Sequence, residues 1–268
     1  MNLFQTVILI SLVGNTGLGL FVLFSNPRRT VNLAFFILTV WIMLWLISMM
    51  SATVQHSYSG LMFAVRLTSA FAGVIPLGVF ALHLAIVEPD ISWKQIVFGL
   101  RYWVLATLGM ALVCHSPFFI TASSFATFEQ SVPVSQYGMG FIIYLGFFTA
   151  VVVAMTYEFW KASRIFSGAQ KTESQFVQLG CWLSFSSGLL LYGAAVIGNF
   201  QEVSRFLPLS VLIWDGFVAY GIATRRILSA SAVLQRIVSY SLMAIYLMGL
   251  YIAAEWVTRW FLRWLVPD

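Results

Sequence analysis

Polar residues interrupt this chain only at long intervals. Runs of about 18 or more apolar residues occupy roughly 4–24, 33–53, 64–87, 97–115, 139–160, 176–197 and 207–224, and an eighth covers about 237–257. A helix rises 1.5 Å per residue, so about 20 residues cross a hydrocarbon core ~30 Å thick. Each run therefore predicts a membrane-spanning helix. The basic residues between the runs set the orientation. With the N-terminus outside, ten of the 14 Lys and Arg fall on the inner side: Arg28, Arg29, Lys94, Arg101, Lys161, Arg164, Lys171, Arg225, Arg226 and Arg236. Arg66, Arg205, Arg259 and Arg263 fall outside, as the positive-inside rule allows.

The first run has no positive segment before it and no small-residue cleavage site, so it is expected to stay as a helix rather than act as a signal peptide. The longest connection, about 116–138, lies on the outer side. It has no Lys or Arg and is long enough for a lid or a short hairpin. At the other end, EWVTRWFLRWLV (255–266) carries Trp256, Trp260 and Trp264 at four-residue spacing, which suits a helix in the membrane interface.

Composition strengthens this picture. Charged residues make up 9% of the 268, against about 25% in soluble domains, while 60% are hydrophobic. Polar groups so few cannot cover a globular surface of this size. The expected fold is an all-α polytopic bundle of seven core transmembrane helices plus a C-terminal eighth. Residues 1–226 would form the membrane domain, and 227–268 a basic linker, the eighth helix and its interfacial end. The expected location is the inner (plasma) membrane, with the lipid bilayer as the main partner. The net charge of +5 does not imply nucleic acid, because the basic residues flank apolar runs instead of forming one aqueous face.

Three stretches resemble the N-terminal seven-helix membrane region of bacterial sensor histidine kinases. They are SNPRRTVNLAFFILTVWIMLWLISM, FAGVIPLGVFALHLAIVEP and FLPLSVLIWDGFVAYGIATRRILSAS, and the likeness covers about residues 1–230. It implies an input module that passes a signal to a cytoplasmic output partner. The chain departs from that pattern after residue 230, where no phospho-acceptor helix and no ATP-binding glycine cluster occurs. The resemblance thus leaves two readings open, a fragment or a stand-alone relative with a separate partner.

Asp215 is the strongest chemical signal. A carboxyl at mid-bilayer costs roughly 2.5–3.5 kcal/mol on insertion scales, so it is expected to face the bundle. Its expected surroundings are Trp214 and Trp182, with Asn15 and either Ser186 or Ser187 as hydrogen-bonding partners, in a ligand pocket between the third, sixth and seventh spans. The competing reading is a structural tie between helices. Arg66 and Arg205 would sit near the outer mouth, holding an anionic ligand or lipid headgroup. Alternatively they form rim ion pairs with Glu129, Glu202 or Glu255. His83 would be a pH-responsive group or a packed structural residue, and Pro76 should kink the third span.

No cofactor and no metal is expected, and no catalytic residue. Cys114 and Cys181 are isolated and His56, His83 and His115 are scattered. There is no HExxH and no Walker-type loop. No histidine follows the mid-span serines, which argues against a serine protease, and no lysine lies mid-span for a retinal Schiff base. The expected function is a non-enzymatic sensory module. It would bind a small apolar or amphipathic ligand or a lipid, and signal to a cytoplasmic partner or as a homodimer. The alternatives are a proton-coupled transporter or channel subunit, or a structural subunit of a membrane complex.

Overall fold

The computed structural model describes residues 2–55, 57–124, 133–197 and 201–224. The eighth run, its tryptophan stripe, the basic linker, His56, Glu129, Arg225, Arg226 and Glu255 lie outside the described residues.

The helices are α1 (Leu3–Ser25), α2 (Thr30–Thr53), α3 (Tyr58–Val87), α4 (Trp93–Gly99), α5 (Arg101–His115), α6 (Met139–Ile165), α7 (Gly168–Ile197) and α8 (Leu207–Thr224). A 3₁₀ turn, Gln201–Phe206, leads into α8. Local chemistry explains most of the starts. Asn2 and Gln5 form a reciprocal capping box on α1, and Ser92 and Gln95 do the same on α4. Ser57 Oγ accepts from the Gly60 N–H at 3.1 Å and starts α3. Asn32 closes the tight α1–α2 turn by donating to Val22 O at 2.7 Å and to Ser25 Oγ at 2.9 Å.

Among the described residues, five helical segments are long and apolar enough to cross a membrane: Leu3–Ser25, Thr30–Thr53, Tyr58–Val87, Met139–Ala162 and Val203–Ile222. The expected fourth span is not one straight helix. It is broken into α4 and α5, which meet at an angle of 66° and would make a sixth span if taken together. The break falls at Gly99–Leu100, where glycine weakens the helix and Leu100 leaves it at φ −91°, ψ 4°. The expected sixth span begins eight residues early, at Gly168, and its polar stretch QKTESQ with Gln178 and three further serines dilutes its apolar character. α3 runs from Tyr58 to Val87 as one helix with Pro76 inside it.

The outer connection folds into a two-stranded antiparallel hairpin, β1 (Ile120–Ser124) and β2 (Val134–Tyr137). Arg66 on α3 anchors it, donating to Ile120 O at 2.9 Å and to His115 O, at the end of α5, at 3.2 Å. The N–H groups of Gly138 and Gly140 donate to Phe119 O and Phe118 O, which ties the hairpin to the start of α6.

The main core is built on α2, whose Phe35, Leu38, Ile42 and Leu46 are fully or almost fully buried. It also takes Ile8 from α1, Leu82 and Ile86 from α3, Phe159 from α6 and Val218 and Ile222 from α8. The outward faces are equally apolar. Phe24, Leu112, Met139 and Leu190 are each more than 70% exposed, a surface that suits acyl chains rather than water.

Glycines set how closely α8 is approached. A methyl group on Gly221 would lie 2.6 Å from Phe176 Cβ, an atom fixed to the α7 backbone. One on Gly14 would lie 2.7 Å from Leu212 Cδ1, the end of a rotatable side chain. Gly221→Ala is therefore expected to cost about 1–3 kcal/mol and Gly14→Ala less than about 1 kcal/mol. Thermal unfolding in detergent checks the ranking; equal losses would refute it.

Candidate functional site

α8 presents two faces with alternating spacings of three and four residues. Leu207, Ser210, Trp214, Phe217 and Gly221 face α7, where they meet Gly188, Gly180 and Phe176. These contacts run in opposite directions along the two chains, so α7 and α8 are antiparallel. Trp214 is committed to that seam, with its indole N–H donating to Cys181 Sγ at 3.2 Å. The second face carries Leu212, Asp215, Ala219 and Ile222. Leu212 lies over Gly14 of α1, and Ala219 and Ile222 join the core with α1 and α2 residues.

Asp215 therefore looks toward α1 and α2. It is 0% exposed, and neither carboxyl oxygen has a hydrogen-bond partner among the described residues. The helix directions fix what lies at its depth. α1 and α2 are antiparallel, as the contacts Gln5–Thr53, Asn15–Thr39 and Val22–Asn32 show. α1 and α8 run parallel. Leu212 meets Gly14 at mid-span, and at the inner end Arg29, just past α1, pairs with Glu173 of α7, below the level of Phe176 and its α8 contact Gly221. Three residues past Leu212 on α8 corresponds to the level of Gly17 on α1. That level lies between Asn15 and Gly19, both of which touch Thr39 of α2. Asp215, Asn15 and Thr39 thus lie at a similar depth on α8, α1 and α2, on the sides of these helices that turn toward one another.

The partners within this layer are fixed. Asn15 is 1% exposed and its Nδ2 donates to Thr39 O at 2.9 Å. A carbonyl only accepts, so the amide orientation is set and Asn15 Oδ1 is left without a partner. Thr39 is 0% exposed and gives its hydroxyl proton to Phe36 O at 2.7 Å. Ser11 Oγ, one turn toward the N-terminal end of α1, is buried and has no hydrogen-bond partner among the described residues. α1, α2 and α8 contain no Lys, Arg or His, and the one basic residue of α7, Lys171, is in its first turn.

The structure does not bring together all the residues that the sequence groups around Asp215. Trp182 is 49% exposed and lies off the α7–α8 seam. The Ser187 hydroxyl donates back to Ser184 O at 3.0 Å, and that of Ser186 to Leu183 O at 3.2 Å. The face of α8 that carries Asp215 turns toward α1 and α2, whereas the sequence expects a pocket between the third, sixth and seventh apolar runs. Only Asn15 of the expected partners shares the layer.

Arg66 donates to two backbone carbonyls, because its guanidinium sits over the C-terminal end of α5; Glu129 and Glu255, two of its expected carboxylate partners, lie outside the described residues. Beside it lies an open cleft of ≈ 410 Å³ lined by Tyr58, Ser59, Met62, Phe63, Arg66, His115 and Thr121. His83 is buried between α3 and α6, with its ring 4.5 Å from that of Phe159 and nearly perpendicular to it. Among the described residues, no group of three or more His, Cys, Asp or Glu comes together.

Two residues of consequence escape a sequence reading. Thr39 looks like one more apolar-run residue. Glu173 falls in a polar stretch that reads as a loop, yet it is 1% exposed and its Oε1 accepts from Arg29 Nη2 at 2.6 Å. The signal that could have found it is spacing: Glu173, Val177, Gly180, Ser184 and Ser187 follow one helical face.

No protein-family model matches the chain, and no curated protein matches it.

Proposed function

We propose that this chain is a non-enzymatic, multi-pass sensory module of the inner membrane, and that Asp215 is its responsive group. The observation that carries the reading is a fully buried carboxyl on the face of α8 turned toward α1 and α2, whose oxygens have no hydrogen-bond partner among the described residues. Such a group is costly in a bilayer unless a second state or a ligand satisfies it. In this reading the bundle has seven core spans, with α4 and α5 together forming the fourth and α7 the sixth. The N-terminus is outside.

A ligand shifts a two-state equilibrium only through different affinities for the two states. The charge state and solvation of Asp215 supply such a difference, and α8 leads directly to the inner exit at Thr224. A small amphipathic ligand or lipid would enter at the outer cleft, whose volume falls in the range of small-molecule sites and which joins a cationic Arg66 to aromatic walls. The signal would pass to a cytoplasmic partner or across a homodimer.

The test uses a fluorophore on Ala223→Cys in a Cys114→Ala, Cys181→Ser background, reconstituted in proteoliposomes. As pH and lipid composition are varied, the reference protein should move between two emission levels. Asp215→Asn and Asp215→Ala should stay at one. Responses like the reference in both variants, with normal insertion, would remove Asp215 from the mechanism.

A proton-coupled transporter is the second reading, and the 66° break between α4 and α5 favours it, because broken helices line many transport sites. Proton or solute flux in the same proteoliposomes separates the two classes, since a sensory module should show none.

A further inference from the structure

We propose that the layer formed by Asp215, Asn15 and Thr39 is a binding site for a single sodium ion. The inference rests on the reading that Asp215 is the responsive group, and it names what satisfies that group.

The atoms left over in this layer are all oxygens. Asp215 offers two, neither of them hydrogen-bonded. Asn15 offers Oδ1, because its Nδ2 is held by Thr39 O. Thr39 Oγ1 has already given its proton to Phe36 O, so only its lone pairs remain. No N–H or O–H is aimed at the carboxyl by any described residue. A proton on Asp215 would donate to one acceptor and leave the others as they are. A cation at the centre of the layer meets them together.

Charge selects the kind of cation. The layer holds one formal negative charge, with no basic side chain in α1, α2 or α8. A monovalent ion makes it neutral, whereas a divalent ion would leave a net positive charge buried in hydrocarbon. Hard oxygen donors and the absence of thiolate or imidazole exclude the softer transition metals. Thr39, Asn15 and one carboxylate form a small donor set, which suits sodium better than potassium, since the larger ion needs more oxygens. Ser11 Oγ lies one turn toward the outer end, between the layer and the outer surface. It marks the side from which the ion would arrive.

The site would act as a clasp. With sodium present, oxygens from three helices share one ion and α8 is held against α1 and α2. Without it, the carboxyl has no partner, and the α8 contact is the weak one.

The experiment is thermal unfolding of the whole chain in nanodiscs, in NaCl, KCl or choline chloride at equal ionic strength, with radiolabelled sodium binding in parallel. Sodium should raise the midpoint by a few degrees over choline, and potassium by less. Asp215→Asn should abolish the increment. Asn15→Leu and Thr39→Val should weaken sodium binding by roughly tenfold or more, at least the loss seen when an outer-shell partner of a metal is removed. The last two variants keep the test decisive if Asp215→Asn fails to fold.

Equal midpoints in all three salts, or a sodium increment that persists in every variant, would overturn the site. The two proposals fail separately. If sodium has no effect but Asp215→Asn still fixes the fluorophore at residue 223, the sensory reading stands and a proton is the neutralising partner. If sodium binds but the fluorophore never responds, the ion site stands as a structural one.

Discussion

Arg29→Ala should destabilise the protein by about 3 kcal/mol, and Glu173→Gln by clearly less. The asymmetry follows from burial. Glu173 is 1% exposed and Arg29 16%. Removing the arginine takes the main counter-charge from a carboxylate that water cannot reach, and breaking a buried pair in this way costs roughly 3–5 kcal/mol. The lower end of that range applies because Glu173 keeps other contacts. Removing the glutamate leaves a guanidinium at the end of a long flexible stem, near lipid headgroups, where it can find new partners. Arg29→Lys should recover only part of the loss, since an ammonium is a compact point charge. Equilibrium unfolding in mixed micelles, with the double variant completing the cycle, measures the coupling. A change of less than about 0.5 kcal/mol in Arg29→Ala would mean that the pair does not hold the inner end.

Asp215→Ala should act in the opposite direction and stabilise the protein by about 2 kcal/mol in sodium-free buffer. Carrying the carboxyl costs roughly 2.5–3.5 kcal/mol at mid-bilayer. The small cavity left by its removal returns about 1 kcal/mol of that. A variant that is more stable yet unresponsive is the signature of a group retained for function rather than folding. The same unfolding measurement decides it. A loss of more than about 1 kcal/mol would show that Asp215 is a structural tie between helices, the competing reading.

The apolar runs marked most of the helices because each is nearly free of charge over its length; the run 207–224 coincides with α8 itself. The departures have physical causes. The break at Gly99–Leu100 lies at the edge of the run 97–115, between Lys94 and Arg101, where charges read as a loop boundary and a single glycine gives little warning of a bent helix pair. The early start of α7 was hidden because Lys171 and Glu173 look like loop residues. Glu173 is held inside by an ion pair with Arg29, 144 residues away, which no local pattern can display.

The site was half legible for a related reason. That Asp215 must face inward follows from the cost of exposing it to lipid. Which neighbours it meets depends on how each helix is turned about its axis. In a soluble bundle a polar stripe shows that turn. Here the lipid-facing side is as apolar as the core, so the stripe is missing. Trp182 and Ser187 could be placed only by depth along their helix; Trp182 is half exposed, and the Ser187 hydroxyl bonds back to Ser184 O.

The Arg66 fork has a mechanical consequence. One guanidinium joins α3 to the last turn of α5 and to the hairpin, and the hairpin is stitched to the first turn of α6 by two backbone amides. The outer tips of three helices are therefore riveted into a single plate. They cannot splay apart one by one, and a twist of α3 about its long axis must swing the hairpin with it like a pointer on a dial.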